Sequence, residues 1–146
     1  MSIAVASDHA GYPLKKLIIE YLTEKKIDFH DYGVFSEERV DYPDFGVLVA
    51  REVVAGKHQF GIIICGTGIG ISMAANKITG ARAALCCNEY MAEMARRHNN
   101  ANLLALGGRT TTIDLAVRMI DVFLNTEFEG GRHTLRVDKI HALTER

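Results

Sequence analysis

Residues 61–70, Gly-Ile-Ile-Ile-Cys-Gly-Thr-Gly-Ile-Gly, restrict the fold more than any other stretch of this chain. Gly61 to Ile64 is a short, unbroken apolar run rich in β-branched side chains, the pattern of a strand covered on both faces. Such strands belong to parallel sheets sandwiched between helices. The run breaks at Cys65 into Gly66-Thr67-Gly68-Ile69-Gly70 and continues into residues 72–77, whose composition suits a helix. A strand feeding a glycine loop that opens a helix is an anion-binding arrangement. Glycines let backbone N–H groups turn inward, and the helix N-terminus carries partial positive charge. A thiol at such a junction is placed to act as a base or a nucleophile.

The rest of the chain repeats the strand-then-helix alternation. Strands are expected over 3–6, 27–32, 61–64, 82–85 and 102–106. Pro13 suits the first turn of a helix, and Leu14, Leu17, Ile18, Tyr21 and Leu22 recur at helical spacing behind it. Residues 36–44 are polar and read as a loop, with a helix over 45–54 ending near Gly56. Asn88 is placed to cap a helix over 89–97, and Thr111 or Thr112 to cap one bearing Ile113, Ala116, Met119, Ile120 and Phe123. Gly130-Gly131 interrupts the pattern before a last helix over 134–143. Alternation of this kind gives an α/β fold with a parallel sheet covered on both sides. The 146 residues, 1–146, fit one domain with a single core.

The net charge of −1 provides no general attraction to nucleic acid or to an anionic membrane. No apolar run is long enough to span a bilayer, and the first residues lack the basic-then-apolar pattern of a signal peptide. A cytoplasmic location is expected. The three cysteines include an adjacent pair, Cys86-Cys87, and no C-x-x-C or metal-type spacing, which disfavours a disulfide framework and a thiol-redox role. Cys86 and Cys87 prolong an apolar run and read as small buried hydrophobes.

In open parallel sheets, ligands bind outside the carboxyl ends of the strands. That rule gathers Asp8-His9, the Cys65 loop, Asn88 and Gly107-Gly108-Arg109 on one rim. The glycine spacing is neither the G-x-G-x-x-G of dinucleotide sites nor a P-loop, so those cofactors are disfavoured. Each remaining residue has a simpler structural reading beside the functional one. Asp8 could cap the following helix. His98 and Asn99 sit where helices commonly end. Arg132 and Arg136 share a helix face, as a solvated basic stripe or as a grip on a phosphate. Taken together, an anion loop, a thiol, Asp/His pairs and arginines fit cofactor-free proton transfer beside the carbonyl of a phosphorylated sugar. A non-catalytic sugar-phosphate sensor or a nucleotide-binding module is the alternative from outside the enzymes.

The segments Ser7-Asp8-His9-Ala10-Gly11, Asp41-Tyr42-Pro43-Asp44, Cys65 to Gly70, Ala75-Asn76-Lys77, His98-Asn99-Asn100-Ala101-Asn102 and Gly107-Gly108-Arg109 together resemble the type B ribose-5-phosphate isomerases. That family also takes in allose- and galactose-6-phosphate isomerases. The resemblance runs nearly end to end. It implies a three-layer Rossmann-like sandwich around a five-stranded parallel sheet. It also implies a homodimer, or a larger assembly, with sites at the subunit interface and the C-terminal helix, about 133–144, lying there. The implied reaction interconverts D-ribose 5-phosphate and D-ribulose 5-phosphate through an enediolate, without metal or cofactor. By position, the resemblance makes Cys65 the base that moves a proton between C2 and C1. Thr67 and the amides of Gly66, Gly68, Ile69 and Gly70 would stabilise the enediolate. His98 would open the furanose ring with Asp8 as a polar partner, and Tyr42 and Asn99 would contact sugar hydroxyls. His9, Arg109, Arg132 and Arg136 would hold the phosphate, some reaching across from a second subunit. Relatives lacking the cysteine use a glutamate six residues later, where this chain has Ile71. Within the family, an allose 6-phosphate or galactose 6-phosphate isomerase of the same mechanism is the alternative.

Overall fold

The computed structural model describes residues 1–144. Among them are five strands, β1 (Ser2–Ser7), β2 (Asp28–Asp31), β3 (Phe60–Cys65), β4 (Ala83–Leu85) and β5 (Leu103–Gly107). The helices are α1 (Tyr12–Glu24), α2 (Tyr42–Val54), α3 (Ile69–Ala75), α4 (Glu89–Arg97), α5 (Ile113–Asn125) and α6 (Arg132–Ala142). The strands form one sheet in the order β2-β1-β3-β5-β4, and every pairing is parallel. Helices cover both faces, giving an α/β sandwich. One core layer joins Ile3, Val5, Ile62, Ile64, Leu104 and Leu106 to α1, α4 and α5. The other joins Ala4, Ala6, Ile63, Leu103 and Ala105 to α2 and α3. All six residues of β3 are buried, as a strand covered on both faces requires.

The strand order reverses at one place that matters. From β1 the chain moves outward to β2, and from β3 it moves outward the other way. The helices that follow these adjacent strands, α1 and α3, therefore lie on opposite faces. Their N-termini lie beyond the carboxyl ends of β1 and β3, the crevice position at which such folds bind ligands.

Three expected boundaries shift, each for a local reason. The second helix begins at Tyr42 and not at residue 45, because Pro43 falls in its first turn, where a missing N–H costs nothing. α3 begins at Ile69 because Gly68 takes φ +79° and turns the chain into the helix at once. α6 begins at Arg132, directly after the Gly130-Gly131 break, and ends at Ala142. The expected domain end at residue 146 lies outside the described residues. Cys87 is a correction: Cys86 is buried, but Cys87 is exposed, because β4 ends at Leu85 and the chain is already turning outward. Among the described residues, no helix is long and apolar enough to cross a membrane.

Candidate active site

β3 delivers Cys65 to the crevice, and its neighbours fix the loop that follows. The Cys65 carbonyl accepts from the Gly108 N–H at 2.7 Å, and the Gly66 carbonyl accepts from the Arg109 N–H at 3.0 Å. The loop is thereby pinned to the end of β5. At Gly68, a side chain would be strained by φ +79°, and a Cβ would also stand 2.6 Å from Leu85 and 2.9 Å from the Leu106 backbone. Cys65 is 5% exposed, and its Sγ accepts a hydrogen bond from the Gly68 N–H at 3.2 Å. Thr67 Oγ1 accepts from the Ile69 N–H at 3.2 Å. Gly70 and Ile71 follow in the first turn of α3, where backbone N–H groups have no intrahelical acceptor. The Ile71 side chain is fully buried and packs on Gly46, so position 71 belongs to the core.

Asp8, His9, Tyr42 and Arg109 surround this loop. Asp8 is buried, and its Oδ1 accepts from the Gly11 N–H at 2.9 Å. Its carboxylate thus closes the turn into α1, as the structural reading of the sequence expects, while remaining on the Cys65 rim. His9 Nδ1 lies 3.2 Å from the backbone of Val40, which ties the β1–α1 turn to the segment entering α2. The Tyr42 ring rests against the loop so closely that a Cβ at Gly70 would stand 2.6 Å from it. The Arg109 guanidinium reaches back over Gly66, with Nη1 3.6 Å from where a Gly66 Cβ would be. Asn88 caps α4, its Oδ1 accepting from the Met91 N–H at 2.8 Å.

His98, Asn99, Arg132 and Arg136 form a second group elsewhere. His98 is the C-cap of α4, in the turn that enters the amino end of β5. Gly61 pairs with Leu103 at that end, and Cys65 pairs with Gly107 at the other. At about 3.3 Å per residue, the strand alone separates the two rims by roughly 13 Å. Within one chain, His98 therefore does not share a rim with Cys65 or Asp8. α6 docks beside His98. The His133 ring stacks on the His98 ring with centroids 4.1 Å apart and planes 11° from parallel. Arg82, just before β4, meets His141 at 3.1 Å. Val137 is buried one turn beyond His133, so Arg132 and Arg136 fall on the outward side of α6 and are exposed.

Sequence reasoning passed over His133 and Glu129 in this second group. Glu129 joins α4 to the approach of α6: its Oε2 accepts from Arg97 Nε at 2.9 Å, and its Oε1 lies 3.7 Å from His133 Nε2. Burial pulls the His133 imidazole below its usual range; His98, Arg132 and Arg136 push the same way, and Glu129 opposes. No local pattern announces a stack between residues 35 positions apart.

A family model described as Ribose/Galactose Isomerase matches residues 3–140. The chain belongs to that family. It is 44% identical to the ribose-5-phosphate isomerase B of Escherichia coli over 144 residues, covering 99% of this chain and 97% of the relative. Among solved structures, the ribose-5-phosphate isomerase B of Clostridium thermocellum superposes with a TM-score of 0.96 at 52% identity, over 98% of this chain and 97% of that one. The ribose-5-phosphate isomerase B of Mycoplasma genitalium, solved with bound ribulose 5-phosphate, gives 0.92 at 46% identity, over 97% and 95% of the two chains. The fold the family uses is the one described above.

Proposed function

We propose that this protein is an aldose–ketose isomerase that interconverts D-ribose 5-phosphate and D-ribulose 5-phosphate. The observation that carries the proposal is Cys65 Sγ, held by the Gly68 N–H at 3.2 Å at the carboxyl end of β3, beside the first turn of α3. The full-length similarity to ribose-5-phosphate isomerases supports the choice of substrate. The Cys65 thiolate removes the C2 proton of the open-chain aldose. The electrons move into a C1–C2 double bond, and the carbonyl oxygen on C1 becomes an oxyanion. Thr67 and the loop amides receive that charge, which makes removal of a weakly acidic proton feasible. The same sulfur returns the proton to C1 while the O2 proton passes to O1, leaving the ketose.

The two groups of residues on opposite rims are the reason to propose a homodimer. A twofold axis that sets the His98 group of one chain against the Cys65 group of its partner completes two identical sites at once. His98 of one subunit then opens the furanose, and Arg132 and Arg136 grip the phosphate together with the His9 and Arg109 of the other. α6 lies at the interface in this arrangement, and its exposed Leu135, Ile140 and Leu143 with nearby Met73 provide apolar surface for it. The three free thiols fit a reducing, cytoplasmic setting.

Incubation with ribose 5-phosphate in deuterated water tests the reading. The enzyme should place solvent deuterium on C1 of the ribulose 5-phosphate it forms, with a higher kcat/KM than it shows for allose 6-phosphate or galactose 6-phosphate. Binding of the sugar phosphate without any exchange would leave only a sensor.

A further inference from the structure

His98 makes its principal side-chain contact in an unusual way. Among the described residues, its imidazole forms no hydrogen bond recorded in the structure; the contact that orients it is the face-to-face stack on His133. His133 is itself buried. It is 5% exposed, it belongs to the inward side of α6 with Val137, and its backbone N–H donates to the Gly130 carbonyl at 3.1 Å. Its Nε2 has no hydrogen-bond partner among the described residues, so what it offers His98 is its flat face.

Opening a cyclic sugar requires a ring nitrogen aimed at one oxygen, within hydrogen-bond reach. A histidine in the turn after a helix would otherwise sweep through several orientations. A buried, nearly parallel ring 4.1 Å beneath it removes most of that freedom.

His98, Glu129 and His133 also have the donor types of a zinc site, with ligand atoms within 4.8 Å of one another. The cluster is nonetheless set for a different task. Arg97 already holds Glu129, and the charges of Arg132 and Arg136 reach His133, which makes the site hospitable to an anion and poor for a cation.

We propose that His133 is a positioning residue for His98, its buried ring being the platform that fixes the plane of the imidazole that opens the sugar. The proposal rests on the assignment of ring opening to His98 made above. Ribose 5-phosphate is largely a furanose, whereas ribulose 5-phosphate has its O5 blocked by phosphate and enters as an open chain. A ring-opening defect therefore slows turnover of the aldose but spares proton exchange starting from the ketose. Two rates are to be measured: conversion of ribose 5-phosphate, and deuterium uptake from water into ribulose 5-phosphate.

His133→Leu should slow the first by roughly 10- to 100-fold, the scale of a misplaced catalytic group, and change the second by less than about threefold. His133→Phe, which keeps a flat ring, should recover most of the lost turnover. The surviving exchange reports that the variant is folded and assembled. His98→Asn is the control and should separate the two rates in the same direction. If it does so while His133→Leu lowers both rates equally, or while His133→Phe is as slow as His133→Leu, the platform role is overturned. If His98→Asn fails to separate them, the ring-opening assignment itself falls, and the platform role with it.

Discussion

Cys65 and Cys87 show how position decides the use of one side chain. Cys65 ends a strand buried on both faces and meets a backbone N–H donor; Cys87 lies two residues past the end of β4 and is exposed. Cys86 between them in character is buried, and burial pushes its thiol up to about 12, which keeps it protonated and inert near neutrality. Removing the base should leave binding intact, so Cys65→Ala is expected to abolish isomerisation while still binding ribose 5-phosphate by calorimetry. Iodoacetamide should label exposed Cys87 first without loss of activity, then Cys65 with complete loss. Substrate should protect Cys65 alone, and Cys87→Ser should keep wild-type turnover. Peptide mapping against residual activity checks the order, and inactivation that tracks Cys87 would remove Cys65 from the chemistry.

At the scale of elements, the start of one helix shapes the site at the start of another. Tyr42 opens α2 and Gly70 lies in the first turn of α3, and their contact leaves no room for a Cβ. Gly70→Ala should displace the Tyr42 ring, raise KM several-fold and leave the melting temperature nearly unchanged, because Tyr42 is partly exposed and free to move. Steady-state kinetics beside thermal unfolding separate the two effects. On α6, burial of His133 and Val137 forces Arg132 and Arg136 outward together. Arg136→Ala should chiefly raise KM, the signature of lost binding common to substrate and transition state. A normal KM would take that arginine out of the phosphate grip. Buried core positions behave differently: truncating Phe123 of α5, which packs edge-on against Phe60 of β3 at 5.3 Å, should destabilise the fold by about 3–5 kcal/mol without a selective kinetic effect.

At the scale of the whole molecule, the proposed site residues lie on two opposite rims of the sheet. A mixture of two variants, each impaired in converting ribose 5-phosphate, tests the proposed dimer directly. If Cys65→Ala and His98→Asn subunits are refolded together, half of the dimers are mixed, and each mixed dimer has one site with both intact halves. About a quarter of wild-type activity should return, as closed twofold symmetry dictates. A site built within a single chain would recover nothing.

Much of this fold was legible because its signals are local. A β-branched run, a proline in a first turn, Asn88 and Thr112 as caps and a glycine pair before the last helix each act within a few residues, and their side chains sit where those rules place them. The junction of Cys65 with its glycine loop was legible for the same reason, since a strand end, φ-tolerant glycines and a helix start are consecutive in the chain. The separation of His98 from Cys65 was implicit in the parallel alternation, because each crossover helix ends at the amino rim of the sheet. The pairing of His98 with His133 was not legible, because it arises only where α6 is seated beside the end of α4. Sequence by itself determined the elements and the strand-end loop at which Cys65 sits. Tertiary structure alone decided which groups face one another, because burial and crossover direction act between segments far apart in the chain.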